Sequence, residues 1–101
     1  MSILHTVNKS PFEKSSASSC IAHASEGSAV LFYEDGVYAA DKRTRFASSV
    51  TGAAGVKFYV LGPDLKARGV GEDLLIDGVE VIDYAGFVDL AVEYDKVAAW
   101  V

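Results

Sequence analysis

The feature that most constrains this chain is a rhythm. Short apolar runs of strand length, at residues 3–7, 29–33, 56–61 and 79–82, alternate with longer segments that suit helices. The later three runs are rich in β-branched or aromatic residues, which favour strands. Within each run the apolar residues are nearly continuous rather than alternating. That is the pattern of parallel strands covered on both faces. Parallel neighbours need a crossover of a dozen or more residues, and the intervening segments are long enough to supply helices. The expected architecture is therefore α/β: a three-layer sandwich in which a mostly parallel sheet of four to five strands carries helices on both faces. Residues 1–101 read as one domain.

Local signals place the elements. Ser10, Pro11 and Glu13 have the spacing of an N-cap, a first helical position and a capping box. Ala17, Cys20, Ile21 and Ala24 follow with the i, i+3, i+4, i+7 spacing of one apolar helical stripe, and Gly27 is placed to stop that helix. The second crossover begins near Asp35-Gly36 and becomes irregular toward Gly55. Asp64 is expected to cap a short helix that Gly69 closes, and residues 69–78 to form a loop with a turn of helix. Asp83 is expected to cap a last helix whose stripe is Phe87, Leu90, Ala91 and Tyr94. The apolar tail, 97–101, suits an edge strand or a partner surface.

Composition narrows the function classes. Half of the residues are apolar, and mean hydropathy is +0.22. For a small chain this points to a doubly covered sheet together with surface that a partner covers. The net charge is −5, which opposes binding to a phosphate backbone, so no direct nucleic-acid contact is expected. Lys42, Arg43 and Arg45 form a short basic run that reads as a solvated face. One cysteine excludes an internal disulfide and fits a reducing compartment. The start of the chain lacks the pattern of a secretory signal. No apolar stretch approaches the ~20 residues of a membrane span, so a cytoplasmic location is expected, without membrane contact.

Few residues carry chemistry. Cys20 is the only thiol, and any persulfide chemistry would use it. A sulfur carrier needs thiolate character and access, whereas Cys20 lies late in a helix on the apolar stripe, the setting of an inert core cysteine. His5 stands toward the carboxyl end of the first strand, with Asn8, Lys9 and Ser10 beside it. In open α/β sheets that edge binds ligands, so the group reads as an anion or partner site, or His5 as a hydrogen-bonded structural residue. Asp35, Asp64 and Asp83 each follow a strand and read as helix caps or turn residues more simply than as a metal cluster. Dinucleotide, P-loop, C-x-x-C and nucleophile-elbow motifs are absent. Neither a metal nor a cofactor is expected.

Blocks spread from end to end resemble the DsrH/TusB family of the DsrE-like superfamily. They are Leu4-His5-Thr6-Val7-Asn8-Lys9-Ser10-Pro11-Phe12, Glu34-Asp35-Gly36-Val37-Tyr38-Ala39-Ala40, Tyr59 through Gly69, Ile82 through Leu90, and Ala99-Trp100. Cys20 and the block 7–12 make the chain more similar to the DsrH branch, found in sulfur oxidisers. The resemblance implies a DsrE-like α/β sandwich and a cytoplasmic sulfur-relay complex. In that complex DsrE/TusD-like and DsrF/TusC-like subunits join this chain as an α2β2γ2 heterohexamer. The assembly passes persulfide sulfur to a DsrC/TusE-like carrier, for sulfur oxidation or for 2-thiolation of wobble uridine in tRNA. The principal sulfur-bearing cysteine then belongs to the DsrE/TusD-like partner, and this chain is expected to be a structural, non-catalytic subunit. Tyr38, Tyr59, Tyr84, Phe87 and Trp100 become candidate interface anchors, or else core residues. Two alternatives stay open: Cys20 as a secondary sulfur carrier, and a free-standing ligand-binding domain that uses the edge around His5.

Overall fold

The computed structural model describes residues 2–101. Five strands, β1 (Ile3–Val7), β2 (Ala29–Phe32), β3 (Lys57–Leu61), β4 (Val79–Ile82) and β5 (Lys96–Trp100), form one sheet in the order β4-β3-β2-β1-β5. Every pairing is parallel. The expected three-layer α/β architecture is what forms, and the apolar tail supplies the edge strand beside β1. The start of β1 and the entry to β5 are tied together: the Ser2 amide donates to Asp95 Oδ2 at 2.9 Å, and the Lys96 amide donates to the Ser2 carbonyl at 3.2 Å.

The layers follow from handedness. From β1 to β4 each strand is added on the same side of the last, so right-handed crossovers put their connecting helices on one face. These are α1 (Ser16–His23), a 3-10 segment (Glu34–Ala40), α2 (Phe46–Thr51) and α3 (Gly62–Ala67). The chain then returns past the whole sheet to reach β5, and the same hand sends α4 (Tyr84–Glu93) over the opposite face. Two cores result. Val7, Val30, Phe32, Phe58 and Val60 meet Ala17, Cys20, Val37, Phe46 and Leu65 on the first face. Leu4, Ala29 and Leu31 meet Leu90 on the second, with Phe87 and Tyr94 packed at its margin. All four residues of β2 are buried, as expected for a central strand, whereas β4 is half-exposed along its edge.

Several local expectations fail for identifiable reasons. The first helix begins at Ser16, not after Ser10. The Ser10 hydroxyl accepts from the Phe12 amide at 3.2 Å, and its carbonyl accepts from Glu13 and Lys14, which makes a single turn. A cap stabilises by about 1 kcal/mol, less than the burial of Ala17, Cys20 and Ile21 that fixes where the helix lies. Gly27 has φ of +89° but sits in the turn beyond Ala24, which ends the helix. Asp64 does not cap α3, which already starts at Gly62 with Pro63 in its first turn; its carboxylate instead accepts the Glu34 amide at 2.6 Å. Asp35 likewise caps nothing and pairs with Arg68 at 3.0 Å. Only Asp83 acts as expected, accepting from the Gly86 amide at 2.8 Å at the start of α4.

The close approach after β2 gives a direct test. The Val7 carbonyl accepts the Tyr33 amide at 3.0 Å, and a side chain on the buried Gly36 would overlap that same carbonyl. Because the obstacle is backbone of β1, paired on both sides in the sheet, it cannot swing aside. Gly36→Ala should lower stability by about 1–3 kcal/mol, the usual cost of overpacking. The check is the urea midpoint at unchanged m-value.

Candidate functional site

Strand order reverses at β1, whose two neighbours β2 and β5 are reached by crossovers on opposite faces. The carboxyl end of such a strand is where open α/β sheets form a crevice. His5, in the middle of β1, faces the α1 side and is 3% exposed. Trp100 Nε1 donates to His5 Nδ1 at 3.0 Å. An accepting Nδ1 puts the proton of the neutral ring on Nε2. The indole lies between two imidazoles, its centroid 6.0 Å from that of His5 and 5.8 Å from that of His23 at the end of α1. Burial, and secondly the nearby His23, hold His5 below its ordinary pKa. A neutral His5 is what the geometry needs, since protonation would remove the acceptor. This group therefore locks β5 to β1.

Cys20 lies on the inner side of α1, fully buried in the larger core. Burial pushes its thiol up to about 12, so the nucleophilic thiolate is strongly disfavoured in the isolated chain. Among the described residues no basic side chain bonds to it, and it sits in the second half of α1, away from the favourable helix N-terminus. His5 and Cys20 thus belong to one packed face but form no nucleophile–base pair.

At the carboxyl edge the loops are tied to one another. Glu34 adopts φ of +48°, and its amide is held by Asp64, while Arg68 reaches back to Asp35. Asp35, Asp64 and Asp83, which read as caps or turn residues rather than as a metal cluster, are each engaged in this way or as a cap. Asn8, directly after β1, has a buried side-chain oxygen with no hydrogen-bond partner among the described residues. Lys9 beside it is exposed.

The candidate anchors divide. Tyr59 and Phe87 pack against the smaller core, Tyr38 and Trp100 against the larger one, and Tyr84 is 60% exposed. Sequence reasoning missed the more telling surface. Helix α4 buries Leu90 and packs Phe87 and Tyr94 inward, yet Val88 and Val92, on its opposite side, are 63% and 81% exposed. With Ala85 they make a second apolar stripe at i, i+3, i+7. The signal was present in the sequence, since a helix apolar on both sides is a buried helix. Val97 adds exposed apolar surface on the same side of the sheet, because it pairs with Leu4. Phe12, at 73% exposure, was also not singled out.

Comparison with known proteins supplies an independent line. The family model described as DsrH like protein matches residues 9–97. Protein TusB of Shigella flexneri is 38% identical over 98 residues, covering 97% of this chain and 100% of the relative. Protein TusB of Escherichia coli K12 is 37% identical with the same coverage. Among solved structures, the ychN protein from E. coli superposes with a TM-score of 0.83 at 17% identity, covering 98% of both chains. A protein from Methanobacterium thermoautotrophicum gives 0.74 at 18% identity, covering 96% of both. At those identities the two structures speak to the fold.

Two outcomes test this geometry. His5 has a folded pKa below its ordinary 6.5, so the unfolded chain takes up a proton first as pH falls. The contribution of His5 is then fully present above about 6.5 and is lost as pH drops from there toward the folded value. Urea midpoints followed by Trp100, the sole tryptophan, should fall across that window, and less steeply in His5→Gln. Cys20 should resist an aromatic disulfide reagent in the native isolated chain, reacting roughly a thousandfold or more slower than in denaturant, as expected of a thiol exposed only on opening.

Proposed function

This chain belongs to the DsrH/TusB family, and we propose that it works as a structural subunit of a cytoplasmic sulfur-relay complex, packed against DsrE/TusD-like and DsrF/TusC-like partners. The observation that carries the proposal is α4. Its inner stripe covers the sheet, and its outer stripe, Val88 and Val92, is left uncovered by the described residues. Burying such a stripe against a partner removes apolar surface from water, at roughly 25 cal/mol per Å². Interfaces of permanent subunits are hydrophobic in this manner.

The thiol supports the same assignment. Sulfur transfer requires a thiolate to attack the outer sulfur of a persulfide, with the donor cysteine leaving as a thiolate. Cys20 is buried and held as a thiol. In this proposal the reacting cysteine belongs to the DsrE/TusD-like subunit, and this chain shapes and buries its surroundings. The complex takes the α2β2γ2 form and hands sulfur to a DsrC/TusE-like carrier. With relatives named TusB at 37–38% identity, thiolation of the tRNA wobble uridine is the route favoured over sulfur oxidation.

Co-expression with DsrE-like and DsrF-like partners tests the proposal. A stable assembly should form, and intact masses after treatment with a persulfide donor should show an added sulfur on the DsrE-like chain alone. Val88→Asp with Val92→Asp should abolish assembly while leaving the isolated chain folded, since both side chains point to solvent there. An added sulfur on this chain that disappears in Cys20→Ser would instead make it a second carrier. A well-behaved monomer that never co-purifies would defeat the subunit assignment.

A further inference from the structure

On the face opposite α4, the turn after β1 and the stretch between the 3-10 segment and α2 enclose a cleft of about 530 Å³. Its walls are Pro11, Phe12, Tyr38 and Phe46, and its rim carries Arg43 and Arg45. Phe12 is 73% exposed, an unusual position for a phenylalanine with no partner above it, and its ring stands 6.3 Å from that of Tyr38. The Arg45 guanidinium lies over the Phe46 ring, 5.2 Å from its centroid, and donates to Ser18 Oγ at 3.3 Å, so it is positioned at the rim. Arg43 is held in place by three side-chain hydrogen bonds to the Asp41 carboxylate.

Charge makes this region unlike the rest of the molecule. Residues 9–14 and 41–46 contain five of the nine basic side chains (Lys9, Lys14, Lys42, Arg43 and Arg45) and only two of the fourteen acidic ones, Glu13 and Asp41. The local balance is plus three, against minus eight for the remainder. The basic run is exposed, as the sequence suggests, and its two arginines stand at the rim of the aromatic walls. Asp73, on the turn before β4, also bears on Arg43, so the rim is not uniformly positive.

We propose that this cleft is a docking site for a short acidic peptide segment of a partner protein, which seats one apolar side chain between Phe12, Tyr38 and Phe46 and sets its carboxylates against the arginine rim. Apolar clefts of this size bury a side chain well, and arginine clusters are a recurring means of reading acidic motifs. The confined charge selects a peptide over RNA. A polyanion longer than the cleft would run onto the strongly acidic remainder, whereas a short segment keeps its charge within the basic patch. The site is remote from the α4 stripe and does not depend on the sulfur-relay proposal.

Selection of a displayed random octapeptide library on the full chain tests the inference. Peptides that combine Asp or Glu with a Phe, Leu or Trp should be enriched. The winning peptide, fluorescein-labelled, should bind saturably by anisotropy and lose affinity as salt rises. Phe12→Ala and Arg45→Gln should each weaken it by roughly tenfold, the loss of one anchor, without shifting the urea midpoint, since both side chains are exposed. Absence of enrichment, enrichment of basic peptides, or binding indifferent to both substitutions would overturn the proposal. So would displacement of the peptide by a single-stranded RNA 20-mer at lower concentration than by unlabelled peptide. Self-association in sedimentation that Phe12→Ala abolishes would assign the cleft to a second copy of this chain and would overturn it equally.

Discussion

Parallel pairing cannot be satisfied locally, and everything else in this protein depends on that. Each strand must wait for the chain to travel round and return in the same direction, so each adjacent pair in the sheet is closed by a crossover. β1 sits at the centre of this requirement, hydrogen-bonded to β2 on one side and to β5, the last strand, on the other. The two ends of the chain are therefore partners. Trp100 closes the contact by donating to a histidine buried in the middle of β1, and Ser2 closes it at the other end.

The handedness of crossovers then divides labour between the faces. The connecting segments from β1 to β4 crowd one side and build the larger core, in which Cys20 is sealed from solvent. A single helix serves the other side, and it is apolar inward and outward alike. A face covered by one helix, with valines directed at water, suits a molecule whose folding is completed by association. Cys20, in the second half of α1, is packed as a core residue. The sealed thiol and the uncovered apolar stripe are two consequences of the same topology.

Much of the fold was legible in the residues. The four apolar runs became β1 to β4 within a residue at each end, and the tail became β5. The Asp83 cap was readable because nothing competes for that carboxylate. The caps assigned to Ser10 and Asp64 were not, because tertiary contacts decided those positions: the burial of Ala17 and Cys20 drew the helix start to Ser16, and the Glu34 amide took the Asp64 carboxylate. His5 reads from the sequence as a residue toward the carboxyl edge, yet it stands buried in the middle of β1, and its role was not legible because its partner lies 95 residues away at Trp100.

The sequence by itself determined the layer architecture, the parallel sheet and the absence of familiar catalytic motifs, because apolar periodicity and element length act locally and need no knowledge of what packs on what. Only the tertiary structure decided which side chains ended beneath a helix and which faced water. Cys20 and Val88 both stand on helices amid apolar neighbours, and one is sealed while the other is bare. The difference is set by which helical side is pressed to the sheet, a consequence of crossover handedness and strand order rather than of either residue's own surroundings in the chain.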